Sequence, residues 1–213
     1  PSRAALDGAL GERLKAEVAS RTGFAVAGFW NNGARHLTNR ARPIRGPADC
    51  EGLTIRTMRS DLHQRTFAAM GFVPRYIDVK DYPAAVRSGA VDAQENPLTN
   101  TVNFGVHETH PHLTLTGHFQ GVTLVLANAA WLASLPAPAR AAFDAGMAEA
   151  TAAQARFAED EDARCLALLR EAGVAILGEG AFDRAAFAAA TAPVAQAALD
   201  ALEPALAAHL PPP

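Results

Sequence analysis

Residues 86–98 read Val-Arg-Ser-Gly-Ala-Val-Asp-Ala-Gln-Glu-Asn-Pro-Leu, and the parsing of this stretch decides the fold. A helix that opens near Val79-Lys80-Asp81-Tyr82 is expected to end at Gly89, because glycine accepts the left-handed conformation that closes a helix. Ala90–Asp92 then makes a very short apolar strand, and Gln94-Glu95-Asn96-Pro97 a polar turn. Pro97 biases Asn96 away from the helical region, so its carboxamide is expected to point outwards, while Asp92, Gln94 and Glu95 cap and brace the turn. A helix, a short buried strand and a polar tip suit a ligand, although polar turns at strand ends are more often only turns.

Strand and helix alternate on either side of this stretch. Leu53–Met58 has strand character with Arg56 inside it, residues 61–70 form a short helix stopped by Gly71, and Val73–Val79 is a further strand. Upstream, residues 4–20 carry Leu6, Leu10, Leu14 and Val18 on one helical face, Phe24–Trp30 is an apolar strand, and Asn31-Asn32-Gly33 is a turn leading to Arg35. Downstream come a helix over Thr99–Glu108, strands over His112–Thr116 and Val122–Ala127, and a long helix over Ala137–Ala172. Val174–Leu177 is a strand, Asp183–Thr191 and Pro193–Leu210 are helices, and Pro211–Pro213 is a tail. The alternation predicts an α/β layer with a largely parallel sheet.

With 213 residues and 49% hydrophobic content, the chain can bury a sizeable core as one large domain or two small lobes. A net charge of -3 and scattered arginines give no basic field for a nucleic acid. Apolar runs are interrupted every few residues, as in Val122-Thr-Leu-Val-Leu-Ala-Asn128, so the chain is not expected to be embedded in a membrane. The start, Pro1-Ser-Arg-Ala4, has neither an initiator Met nor a signal-peptide pattern, which fits a processed, trimmed or fragmentary chain. Cys50 and Cys165 are too few for a disulfide scaffold; two buried thiols are favoured over a bridge between them.

Among residues with chemistry, Arg56 stands out. An arginine inside an apolar strand is costly to bury unless an anion meets it, and its planar fork fits a carboxylate through two parallel hydrogen bonds. From spacing alone, pairing with a structural Asp or Glu is the favoured alternative. Phe119 and Trp30 are candidates for apolar walls, with core packing as the competing reading. His107, His110, His112 and His118 form the one metal-like cluster in the sequence, but His107-Glu-Thr-His110 is a residue short of the zinc-protease spacing and Pro111 breaks any helix, so no metal site is expected. No phosphate-binding loop, dinucleotide fingerprint or Gly-x-Ser-x-Gly occurs, and no cofactor is expected.

Val91-Asp92-Ala93-Gln94-Glu95-Asn96-Pro97-Leu98 resembles the Asp-Gly-x-Glu-Asn-Pro segment of the extracytoplasmic solute-binding proteins of tripartite ATP-independent periplasmic (TRAP) transporters. Three more stretches fit the same family in the same order: Gly33-Ala-Arg35-His-Leu-Thr-Asn39-Arg40-Ala-Arg-Pro43-Ile44, Pro47-Ala-Asp49-Cys-Glu-Gly52-Leu-Thr-Ile-Arg56, and Trp131-Leu-Ala-Ser-Leu135-Pro136, which begins a long helix. The resemblance covers about Gly28 to Gly178.

That resemblance implies a two-lobed periplasmic binding protein-like α/β fold with a long lobe-spanning helix. Residues 1–32 and 121–160 would belong to the first lobe, and residues 33–120 and 161–213 to the second. Family members carry a substantial segment before the first helix read here, so the first lobe is expected to be incomplete. The resemblance assigns Arg56 as the carboxylate clamp, Arg35 as a second contact to the ligand acid, Asn96 as an amide facing the ligand, and His118 as a histidine beside the cleft or hinge. It implies capture of a small organic anion in the periplasm, lobe closure around it, and delivery to the membrane subunits of the transporter, with no chemistry done. The rival reading is an α/β enzyme acting on a carboxylate substrate, with His118 or His107 as base and Arg56 as anchor; a paired base and orienting carboxylate would mark it. A third is a metal-binding domain built on the histidine cluster.

Overall fold

The computed structural model describes residues 5–202, 204–207 and 210. In chain order the elements are α1 (Ala9–Arg21), β1 (Phe24–Asn39), β2 (Thr54–Thr57), α2 (Asp61–Ala69), β3 (Val73–Tyr76), α3 (Tyr82–Ser88), β4 (Ala93–Pro97), α4 (Leu98–Asn103), β5 (His112–Asn128), α5 (Ala129–Ser134), α6 (Ala137–Glu171), β6 (Ala175–Leu177), α7 (Arg184–Asp200) and α8 (Pro204–Ala207). Local chemistry sets several boundaries. The Ser60 hydroxyl accepts from His63 N at the start of α2, Asn128 Oδ1 from Trp131 N at the start of α5, and Asp183 Oδ1 from Ala186 N at the start of α7. Gly89 closes α3 at φ 79, in the left-handed region.

The strands form one six-stranded sheet in the order β3-β2-β4-β1-β5-β6. β2 pairs in parallel with β3 and β4, β4 pairs antiparallel with β1, and β5 pairs in parallel with β6. The sheet is therefore mixed, and β4 lies between two partners.

Two compact units emerge from the chain. Among the described residues, the first holds residues 5–33, 120–160 and those from 202 onwards, and the second residues 34–119 and 161–201. In the second unit a core of Leu37, Ile44, Ile55, Phe67, Met70, Phe72 and Phe187 packs beside β2 and α2, a smaller cluster gathers Leu98, Leu113, Leu169 and Val174, and a third holds Tyr82, Val86, Val91 and Val106. Cys50 and Cys165 are buried free thiols in separate clusters of this unit. In the first unit Leu10, Val26 and Leu132 are buried, while Val122, Leu124, Leu126 and Trp131 are exposed.

Several expected boundaries move. Gln94–Pro97 is not a turn: it is the body of β4, with all five strand residues buried. Its backbone pairs with β1 along its length and with β2 at Gln94, and its side chains are satisfied by one another, by Thr38 of β1 and by Tyr82 of α3, so polar composition disguises a central strand. Ala90–Asp92 precedes it outside the assigned strand, although Asp92 still bonds to Thr54 through both its backbone and its carboxylate. Asn31-Asn32-Gly33 is likewise not a turn, because β1 runs through it: Gly33 takes φ 79, and the Gln154 amide brackets Asn31, accepting from its N–H at 2.9 Å and donating to its carbonyl at 2.7 Å. β5 similarly joins the two strands expected on either side of residues 117–121.

The expected Thr99–Glu108 helix breaks at Gly105, φ 65, into α4 and a 3-10 turn over Val106–Glu108. Trp131–Pro136 does not begin the long helix; Leu135 is extended before Pro136, as a residue preceding proline prefers, and α6 starts at Ala137. Pro193 does not divide the later helix, since it removes only its own N–H bond and α7 continues through it. The Pro211–Pro213 tail and the Pro1–Ala4 start lie outside the described residues, as do parts of the stretch between Asp200 and Leu210.

Two glycines separate backbone need from convenience. Gly89→Ala forces a left-handed alanine and drives its Cβ into Arg40 Nη1, whereas Gly146, inside α6, has nothing within 4 Å of an added Cβ. Gly89→Ala is expected to lower stability by about 1–2 kcal/mol, and Gly146→Ala to raise it by roughly 0.5–1 kcal/mol. Urea denaturation of both variants checks the opposite signs.

Candidate functional site

β4 carries Gln94, Glu95 and Asn96 into the centre of the second unit, and the side chains around them form one continuous polar network. Glu95 is 0% exposed. Arg35, from the paired end of β1, grips it from the side: Nε donates to Oε2 at 2.5 Å and Nη2 to Oε1 at 2.8 Å, while Nη2 also reaches Glu95 O at 2.9 Å and Asn96 Oδ1 at 3.0 Å. His118 Nε2 lies 3.3 Å from Glu95 Oε2, and its Nδ1 is 2.6 Å from Thr116 Oγ1. Burial raises the Glu95 carboxyl, but the bonds from His118 and Arg35 outweigh it and hold its pKa below the ordinary carboxylate value.

Asn96 is 4% exposed, and its amide points inwards rather than outwards. Nδ2 donates to Gln94 Oε1 at 2.6 Å and to Tyr82 Oη at 3.3 Å, while Oδ1 accepts from Arg35 and from Asn100 Nδ2 at 3.2 Å. Gln94 Oε1 also accepts from Tyr82 Oη at 2.6 Å, and Gln94 Nε2 donates to Thr38 Oγ1 at 2.6 Å. The two amides reinforce each other because each donor finds an acceptor within the network.

Arg56, on β2 opposite Gln94, behaves differently from Arg35. It is only 5% exposed. Its Nε donates to Ile77 O at 3.0 Å, and its Cζ sits 4.6 Å from the centre of the Tyr82 ring. Nη1 and Nη2 make no hydrogen bond or ion pair among the described residues. The alternative in which a structural Asp or Glu pairs with Arg56 is therefore absent among those residues, and the internal carboxylate pair belongs to Arg35. Burial lowers the Arg56 pKa, with Tyr82 and Glu95 opposing that shift, and the guanidinium stays charged at neutral pH.

Phe119 stacks on His63, with ring centres 4.5 Å apart and planes 9° from parallel. His63 Nδ1 is buried without a hydrogen-bond partner, 3.8 Å from Glu95 Oε1. Phe119 and His118 also line an apolar cavity of about 430 Å³ with Leu62, Phe187 and Thr191, and Arg56 does not border it. Of the residues read from the sequence, Arg35, Arg56, Asn96, His118 and Phe119 lie in the second unit; Trp30 lies in the first, where its Nε1 donates to Thr151 Oγ1 at 3.1 Å.

Sequence spacing does not mark Tyr82 or His63 as site residues, and it gives Glu95 only the role of a brace. The i, i+4 spacing of His63 and Phe67 signals a shared helix face, whereas nothing local reveals that Tyr82 lies under Arg56.

A histidine and a carboxylate do pair here, as a catalytic dyad would. Both nitrogens of His118 are nevertheless engaged, by Thr116 and Glu95, and Glu95 is already held by Arg35. The histidine cluster is spread over separate partners: His107 Nδ1 meets Thr101 O at 3.4 Å, and His110 is fully buried. Among the described residues no group of three or more His, Cys, Asp or Glu is arranged to hold a metal, and no helix is long and apolar enough to cross a membrane.

Two measurements follow from this network. Glu95→Gln leaves Arg35 buried without its counter-charge and is expected to cost about 3–5 kcal/mol in a urea melt. Acidification acts elsewhere first. Burial drops His36 from 6.5 to about 4, with His118 and Arg184 adding to the fall, and burial with Arg40 takes His110 to about 4. Burial also lowers His63, although Glu95 pulls the other way. Because the His36 and His110 rings are neutral when folded and bind protons near 6.5 when unfolded, their stability contribution is complete above 6.5 and is lost as the pH falls towards 4. Each contributes a slope of up to ~1.4 kcal/mol per pH unit. Urea midpoints that stay flat from pH 7.5 to 4.5 would contradict this.

Residues 2–201 match the sequence profile of the DctP family, bacterial extracellular solute-binding protein family 7. A solute-binding protein of Verminephrobacter eiseniae is 37% identical over 194 residues, which make up 91% of this chain and 57% of that protein. The 2,3-diketo-L-gulonate-binding periplasmic protein of Escherichia coli is 30% identical over 182 residues, 85% of this chain and 55% of its own. The chain thus spans about half the length of the curated relatives it matches. The crystal structure of a TRAP periplasmic solute binding protein from a Polaromonas species, bound to D-erythronate, superposes with a TM-score of 0.87 at 27% identity, covering 98% of this chain and 68% of that one. The mixed α/β fold agrees with these matches, and the chain belongs to the DctP family of bacterial extracellular solute-binding proteins.

Proposed function

We propose that this chain is the solute-binding part of a TRAP transporter, which captures a small organic acid in the periplasm and hands it to the membrane subunits without chemical change. The observation that carries the reading is the Arg56 guanidinium: almost fully buried, fixed at Nε, and with both terminal nitrogens unpartnered among the described residues. A buried cation of this kind is costly unless an anion completes it, and a carboxylate fits its fork. Asn96 joins the site from β4, reorganising its inward bonds to share the ligand acid. Arg35 and His118 act one step behind, by fixing Glu95 and hence β4, and Phe119 supplies an apolar wall. The two compact units correspond to portions of the two lobes.

The relatives point to the ligand's chemistry. One binds 2,3-diketo-L-gulonate and another holds D-erythronate, both hydroxylated or oxidised carbon chains ending in a carboxylate. A sugar-derived acid is the class to test first.

Arg56→Lys keeps the charge and loses the planar fork. It is expected to weaken D-erythronate or a better-binding sugar acid by about ten- to a hundredfold, the worth of one charge-assisted hydrogen bond, while the melting temperature without ligand stays close to the parent's. Calorimetric titration and a thermal melt of the same samples check both halves. Unchanged affinity would remove Arg56 from the site, and a large fall in melting temperature would make it structural. Steady turnover of any organic acid by the purified chain would favour an enzyme instead.

A further inference from the structure

Arg56 has five N–H groups, and the structure limits how they can be used. Nε–H is spent on Ile77 O at 3.0 Å. One face of the guanidinium is covered by the Tyr82 ring, 4.6 Å from Cζ. Tyr82 is itself immobilised: it is 0% exposed, its hydroxyl donates to Gln94 Oε1 at 2.6 Å and accepts from Asn96 Nδ2 at 3.3 Å, and Phe104 packs edge-on against it at 5.2 Å. The free part of the fork is thus the edge bearing Nη1 and Nη2.

We propose that Tyr82 is a positioning residue that sets the plane of Arg56, and that a ligand carboxylate meets the guanidinium end-on, through Nη1 and Nη2 only. The inference rests on the reading of Arg56 as the anion clamp and adds to it a residue and an approach direction. A side-on approach through Nε and Nη is closed, because Nε–H already has a partner. Without the ring, the guanidinium would still be tethered at Nε but free to swing about that bond, and each bound carboxylate would have to order it. The ring also stabilises the cation directly by facing it, an effect worth more where water is excluded. Tyr82 thereby ties the clamp to β4: the same side chain that flattens Arg56 is bonded to Gln94 and Asn96.

The test compares Tyr82→Leu, Tyr82→Phe and Arg56→Lys in the full chain, using D-erythronate and acetate as carboxylate probes, with a melt of each variant. Tyr82→Leu is expected to bind about tenfold more weakly. Tyr82→Phe, which restores the ring without the hydroxyl, is expected to recover most of that loss even though it melts below the parent. A purely structural tyrosine would give the reverse, with affinity following stability in both variants. If Tyr82→Leu does not melt cooperatively, Tyr82→Met, closer in length, takes its place.

Nitrogen-resolved NMR of the arginine side chains provides a readout that does not depend on affinity. In the free parent and in Tyr82→Phe, the Arg56 guanidinium should show restricted rotation; in Tyr82→Leu it should average. On adding carboxylate, the Nη signals should shift while Nε–H stays in place, and a shifted Nε–H would overturn end-on docking. Binding by Tyr82→Leu equal to the parent, beside lost binding in Arg56→Lys, would overturn the positioning role alone. Binding by Arg56→Lys equal to the parent would overturn the clamp reading, and if the parent takes up neither probe, the rotation of Arg56 in the free protein still decides for or against Tyr82.

Discussion

The carboxylate of Glu95 sits on a central strand with no contact to water, and the buried polar network of the second unit is built around it. An ionised carboxylate taken out of water loses far more solvation than any single hydrogen bond returns. Here the loss is offset by the two-pronged grip of Arg35 and by His118 at the remaining lone pair. The grip also tells β4 where to lie. Arg35 is on β1 and Glu95 on its antiparallel neighbour, so their pairing coincides with the register of the sheet. A slip of one residue would turn Glu95 to the opposite face and leave both charges unpaired.

Because Glu95 is committed to Arg35, it is not available to Arg56, and the two buried arginines divide into different roles. Arg35 has a counter-charge inside the protein and serves the fold. Arg56 has a carbonyl, a tyrosine ring and two unpartnered terminal nitrogens among the described residues, an arrangement that is poor for stability and good for capture. The same physics explains both: a buried charge demands a partner, and the difference lies in whether the chain or a ligand provides it. Glu95 lends Arg56 some negative potential without touching it, which helps keep the guanidinium charged while its fork is open.

The polar side chains of β4 form a scaffold. Gln94, Asn96, Tyr82 and Thr38 exchange hydrogen bonds so that the strand can be buried along its whole length, although only one of its five residues, Ala93, is an ordinary core residue. Such a network is stiff, since moving any one amide strands the others. Stiffness suits a site that must hold an arginine in one plane.

Hydrophobic periodicity and the placement of glycines carry local information, and much of the fold was legible from them alone. α2, α3 with its Gly89 terminus, the long α6 and the short parallel strands were read within a few residues, because apolar spacing and helix stop signals act within one turn of the chain. The four ordered motifs were enough to name the family, and Arg56 could be singled out because an arginine amid strand residues is conspicuous in one dimension. What sequence could not convey was pairing. Gln94–Pro97 looked like a turn because polarity normally means water, and only the strands on either side and the side chains of Thr38, Tyr82 and Arg35 make it a buried strand. Which arginine is paired is likewise settled only where β1, β2 and β4 lie side by side, since Arg35 and Arg56 each lie far along the chain from Glu95. The sequence by itself determined the elements, the family and the residue types of the site; tertiary structure decided that Glu95 neutralises Arg35 and that Tyr82 lies beneath Arg56, because charge pairing and ring contact depend on distances in space that residue order does not contain.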